Sequence, residues 1–174
     1  MSVGDAAKAG LLLWLAVLLQ ATLLSGLGLV SPDLILVTVV MVALLRGSIV
    51  GSIAGFAAGL LLDVATMSHL LGVGSLLLAT TGYWIGRYGE TTGRDRAHAP
   101  YLSVAVATVL VAFATLALFF LLQQPVSAQR VLFHALPGRL LLDIVLTAPL
   151  FRIARRLLRR PGMLERTAEV RLLG

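Results

Sequence analysis

The chain has 174 residues, 59% of them hydrophobic and 13% charged, with a mean hydropathy of +0.97; soluble domains are about half apolar and about a quarter charged, so the composition indicates an integral membrane protein. The net charge of +6 resides largely in arginines at the ends of apolar runs rather than on an aromatic-studded face, which fits membrane orientation and points away from nucleic acid as a partner. Cysteine is absent, which excludes disulfides, thiolate catalysis and cysteine-ligated metals.

No stretch alternates apolar and polar residues over the roughly 10 positions of a membrane β-strand, so helices are the remaining way to span a bilayer. Hydropathy and turn chemistry predict an all-α fold, a polytopic six-helix transmembrane bundle with spans over about residues 8–29, 32–45, 47–62, 70–87, 101–122 and 131–158. They form one transmembrane domain over residues 1–160, followed by a short cytoplasmic tail at 161–174. The first run is longer than a signal-peptide core and lacks a convincing A-x-A site, so it is expected to be a retained span. The second opens with Ser31 as cap and Pro32 in the first turn. At about 14 residues it covers roughly 20 Å, short of a hydrocarbon core about 30 Å thick, which by itself suggests a re-entrant or buried segment, or fusion with the third span into one long helix.

Charge keeps this short span separate from the third. With six spans and both termini cytoplasmic, Lys8, Arg46, Arg87, Arg94, Arg96 and the C-terminal arginines lie inside, and Arg130 alone lies outside. Fusing the second and third spans would put Arg87, Arg94 and Arg96 outside, against the positive-inside rule. The short hairpin around Arg46 and Gly47 then requires local thinning of the bilayer or shielding by neighbouring helices.

The third span, GSIVGSIAGFAAGLLLD, places Gly47, Gly51, Gly55 and Gly59 at every fourth position, and the next step is a carboxylate, Asp63. Such a stripe opens a groove where another helix backbone can approach closely, a main source of adhesion in lipid. Its occupant is either a neighbouring helix of the same bundle or a helix of another molecule. Gly82 and Gly86 repeat the device on the fourth span, beside Thr80 and Thr81, whose hydroxyls can bond back to their own helix. The two small faces suggest that these spans pack on each other. Asp63 falls at the outer end of its helix, where the dipole disfavours a carboxylate, so it requires donors. Backbone N–H groups of the following VATMSH turn could supply them, or Arg139 from the sixth span.

Pro100 opens the fifth span, and the sixth carries Arg139 and Asp143 four residues apart, preceded by Pro137 and Gly138 and followed by Pro149. Charges near mid-membrane cost about 2.5 to 3.5 kcal/mol each, so the two are expected to face protein or water and to form an intramembrane polar pair. In a kinked helix such a pair is either a transporter-like binding site or an ion pair that locks the bundle. The span runs on into FRIARRLLRRPG, where Arg152, Arg155, Arg156, Arg159 and Arg160 predict a membrane-surface anchor among anionic lipids, with partner docking as the other reading. His69, His98 and His134 are scattered over two membrane faces and predict no metal site. No H-E-x-x-H, G-x-S-x-G, Walker-type loop or paired acidic motif occurs, so neither an enzyme nor a cofactor is expected.

Residues 32–87, PDLILVTVVMVALLRGSIVGSIAGFAAGLLLDVATMSHLLGVGSLLLATTGYWIGR, resemble the MreD rod shape-determining proteins of bacteria. The marks are P-D-L opening the second span, an Arg-Gly turn, G-F-x-x-G-L-L-L-D closing the third, and L-G-x-x-x-L-L-L-x-x-x-G-Y-x-x-G through the fourth. LPGRLLLDIVLTAPLFRIARRL is similar to the family's last span, where the resemblance implies asparagine more often than Asp143. The resemblance implies a non-enzymatic inner-membrane scaffold of the cell-elongation machinery that helps control peptidoglycan synthesis. It implies work beside MreC, a single-span protein with a periplasmic coiled coil, and with the MreB filament, RodA and penicillin-binding synthases. The family's bundle also looks like the substrate-binding component of energy-coupling-factor transporters, so a small-solute-binding transporter component is the alternative. On the scaffold reading Gly47, Gly51, Gly55 and Gly59 admit a partner's transmembrane helix and Asp63 fixes its outer end. On the transporter reading a solute binds near Arg139 and Asp143, and a homodimeric structural protein is the third possibility.

Overall fold

The computed structural model describes residues 3–24, 32–65, 72–92, 98–123 and 135–158, and among them the chain is helical, with no strand. Among the described residues six helices follow one another: α1 (Val3–Leu24), α2 (Leu34–Arg46), α3 (Ser48–Ala65), α4 (Val73–Thr92), α5 (Ala99–Leu121) and α6 (Leu136–Leu158). α2 is the centre of the bundle. Every residue from Leu34 to Leu44 is buried, most of them completely, and α2 touches each of the other five helices. Its sequence, LILVTVVMVALLR, explains the position, because a helix apolar on all sides has no face to offer to water. Thirteen residues reach only about 20 Å, and the shielding expected for this short segment comes from the helices around it.

α2 starts at Leu34, with Asp33 rather than Ser31 as its cap; Ser31 lies outside the described residues. α2 and α3 are separate helices. Between them Gly47 adopts φ 99°, a conformation that suits glycine, and its N–H closes α2 on the Ala43 carbonyl at 2.8 Å. α4 begins at Val73 and continues past Arg87 to Thr92.

α3 and α5 are long and apolar enough to cross a membrane, and Ala9–Gln20 and Leu34–Arg46 are shorter apolar stretches. Trp14, Ile53, Trp84 and Phe113 are among many large apolar side chains that face outward, an arrangement that lipid stabilises and water does not. The charges of the described residues separate by end. Asp33, Asp63, Arg139 and Asp143 gather where α2 and α4 start and α3 finishes, whereas Arg46, Arg87, Glu90, Arg152, Arg155 and Arg156 lie towards the opposite end.

Candidate functional site

Gly51, Gly55 and Gly59 are buried on the face of α3 that meets α4. A Cβ on Gly51 would lie 2.5 Å from the Gly82 carbonyl oxygen, and one on Gly86 would lie 2.5 Å from Ser48 Cα. Cβ atoms on Gly55 and Gly59 would run into the Leu78 carbonyl and the Ser75 backbone. Each step of four along α3 is answered by a similar step backwards along α4, so two antiparallel helices touch backbone to backbone. Thr80 and Thr81 bond back to Leu76 and Leu77 carbonyls at 2.9 and 2.7 Å, which keeps their hydroxyls satisfied within α4.

The ladder whose spacing suggested a partner-binding groove is lined here by the chain itself. Gly51, Gly55 and Gly59 are filled by the chain's own α4, and Gly47 forms the α2–α3 corner against Gly86, so that face has no room for a helix of another molecule. Asp63 also belongs to the internal seam. It is buried, and its Oδ2 accepts from the Gly72 N–H at 2.9 Å, immediately before α4. Of the two donor sources expected, a backbone amide just beyond the VATMSH turn is used and Arg139 is not.

Glu90 repeats the device at the other end. In the last turn of α4 it accepts from the Ser48 N–H at 2.8 Å and the Ser48 hydroxyl at 3.1 Å, where α3 begins, with Arg87 3.7 Å away. Each helix of the hairpin therefore finishes in a carboxylate that its own dipole disfavours and the neighbour's N-terminus favours. The α3–α4 pair is capped crosswise at both ends.

The second polar assembly surrounds the start of α2. The first amides of a helix have no partner within it, and because this end is buried, side chains must provide the acceptors. The Asp33 N–H donates to Asp143 Oδ1 at 2.7 Å, the Leu34 N–H to Gln20 Oε1 at 2.8 Å, and the Leu36 N–H to Asp33 Oδ1 at 3.0 Å. Asp33 Oδ2 accepts from the Arg139 guanidinium, and Asp143 Oδ2 accepts from the Thr108 hydroxyl at 3.0 Å. Thr147 donates back to the Asp143 carbonyl at 2.7 Å. All four carboxylate oxygens are engaged, and α1, α2, α5 and α6 are tied together at one point.

Arg139 and Asp143 thus do not form the pair that their spacing suggested. Arg139 turns to Asp33, and Asp143 turns to the Asp33 amide and Thr108. Two effects account for this: a base placed four residues before an acid is the less favourable helical order, and the buried Asp33 amide would otherwise lack an acceptor. Sequence reasoning missed Asp33, Gln20, Thr108 and Glu90 as site residues. Asp33 did carry a signal, a carboxylate directly before an apolar run; Gln20 and Thr108 carried none beyond being polar within apolar segments.

Arg152, Arg155 and Arg156 are exposed in the last turns of α6, and Arg159 and Arg160 lie outside the described residues. His98 is exposed before α5 and makes no side-chain cap bond, while His69 and His134 lie outside the described residues. Among the described residues no group of histidine and carboxylate side chains is arranged to hold a metal ion.

A family model described as rod shape-determining protein MreD matches residues 9–160, a range that runs from α1 to the end of α6. No curated protein and no solved structure matches the chain. The matched range contains the glycine seam, both cross-caps and the polar centre around Asp33. The chain therefore belongs to the MreD family of rod shape-determining membrane proteins.

Proposed function

We propose that the chain is a non-enzymatic inner-membrane scaffold of cell elongation, spanning the membrane six times with both termini in the cytoplasm, and that it holds the transmembrane helix of MreC against the outward face of α3. The observation that carries this reading is the stripe opposite the glycine seam. Ile49, Ile53, Phe56, Leu60 and Val64 are each between 42% and 72% exposed, and their spacing of four, three, four and four is close to that of helix-packing knobs. α3 is held rigidly from behind by α4 and at its ends by Asp63 and Glu90, so the stripe is preorganised and loses little freedom on docking. Through MreC the scaffold would act on the MreB filament, RodA and the penicillin-binding synthases, and so on peptidoglycan synthesis.

The solute-transporter reading draws less support. Its candidate ligands, Arg139 and Asp143, are engaged with Asp33 and Thr108, and a solute would have to displace those bonds. The test is co-purification of MreC with the Ile53→Ala/Phe56→Ala double variant, which removes exposed knobs and leaves the core intact. Recovery should fall at least about 10-fold, equivalent to about 1.4 kcal/mol, with an unchanged unfolding temperature. Full recovery would remove α3 as the docking face, and recovery of a coupling ATPase in place of MreC would favour the transporter.

A further inference from the structure

We propose that Arg152, Arg155 and Arg156, in the last turns of α6, bind anionic phospholipid headgroups at the membrane surface. The outward face of α6 changes character at one level. Leu141, Val145 and Pro149 are exposed and apolar along it, and the next positions on the same side, Arg152 and Arg156, are exposed and cationic. A helix face that passes from apolar to cationic within one turn marks the boundary between acyl chains and headgroups.

Three further observations favour a lipid surface over an acidic protein. Ile153 and Leu157 remain exposed between the arginines, so the patch mixes apolar and cationic side chains as an interfacial helix does. Among the described residues no carboxylate pairs with the three arginines; Glu90, at the same end, is committed to Ser48 and Arg87. Ala154 is buried in the core on the inner side of this turn, which fixes the direction in which the arginines point. The helix C-terminus adds a negative dipole end that the arginines offset, leaving their outer N–H groups for phosphate oxygens, which a guanidinium binds in a forked geometry. The inference rests on the membrane reading and is independent of MreC.

The experiment uses the full chain in neutral detergent, with native mass spectrometry counting retained phosphatidylglycerol against phosphatidylcholine and a thermal melt at each lipid concentration. An arginine near an anionic surface contributes about a 5-fold change in binding, so Arg152→Gln/Arg155→Gln/Arg156→Gln should weaken phosphatidylglycerol retention about 100-fold and leave the lipid-free melt unchanged. Arg152→Lys/Arg155→Lys/Arg156→Lys, which keeps the charges, should retain most of the preference for phosphatidylglycerol. Equal retention of both lipids by the parent protein would overturn the proposal, as would undiminished phosphatidylglycerol on the glutamine variant or displacement of the lipid by an acidic peptide at lower concentration. Extraction of the chain from membranes without detergent would refute the membrane reading on which the proposal stands.

Discussion

Replacing Asp143 by alanine removes two acceptors at once. The Asp33 amide and the Thr108 hydroxyl are both buried, and each orphaned donor costs about 1 to 3 kcal/mol. The centre of that range, about 4 kcal/mol for the pair, corresponds to a fall in Tm of about 8 to 16 °C at about 2 to 4 °C per kcal/mol for a chain of this size. Asparagine is expected to behave differently. Its carbonyl oxygen can accept from the Asp33 amide and its NH2 can donate to the Thr108 oxygen. It also removes the net negative charge that two carboxylates leave against one guanidinium. Asp143→Asn should therefore melt within about 3 °C of the parent, a difference of about 1 kcal/mol. Helix loss followed by circular dichroism in detergent measures both variants. An alanine variant as stable as the parent would show that the network holds nothing, and an asparagine variant that falls as far as alanine would show that the charge, not the bonding pattern, is what matters.

Gly55→Leu forces a side chain onto the Leu78 carbonyl and should cost about 3 kcal/mol or more, seen as loss of the monodisperse peak in size-exclusion chromatography; a well-behaved variant would sink the seam. Glu90→Ala uncaps the start of α3 and should cost about 1 to 2 kcal/mol, with faster hydrogen exchange at the Ser48 amide, which Glu90→Gln should partly restore. No change in that amide would mean the cross-cap is idle. Arg139→Leu leaves Asp33 Oδ2 without its cation beside a second carboxylate. Because the Arg139 side chain is 38% exposed, we expect about 2 to 3 kcal/mol rather than the full cost of breaking a buried pair, and a smaller loss in Arg139→Lys; identical melts for parent, leucine and lysine would refute the pair's role.

Local patterns carried most of the fold. The apolar runs placed all six helices to within a few residues, because a segment must be helical to satisfy its own amides in lipid. The glycines at every fourth position on α3, matched by Gly82 and Gly86, pointed to the α3–α4 seam, since small residues have few other uses at that spacing. What spacing could not show was partner choice at a distance. Arg139 and Asp143 are neighbours along one helix, yet their partners lie on α2 and α5, 106 and 35 residues away in the chain. Glu90 was equally opaque, because a carboxylate at a helix end is disfavoured locally and makes sense only once the neighbour's N-terminus is in place, whereas Asp63 announced its need for a donor and left only the identity of the amide, Gly72, to the fold. The central position of α2 was legible in part, because its shortness pointed to a segment shielded by neighbouring helices and its apolar character on every side agrees with that.

The most direct test of the scaffold reading is site-specific photo-crosslinking in growing cells, with the reactive side chain placed at Ile53 on the outward face of α3 and, as a control, at Leu141 on α6. An adduct with MreC is expected from Ile53 and none from Leu141. An MreC adduct from Leu141 alone, or none from Ile53, Phe56 and Leu60 in turn, would contradict the scaffold reading.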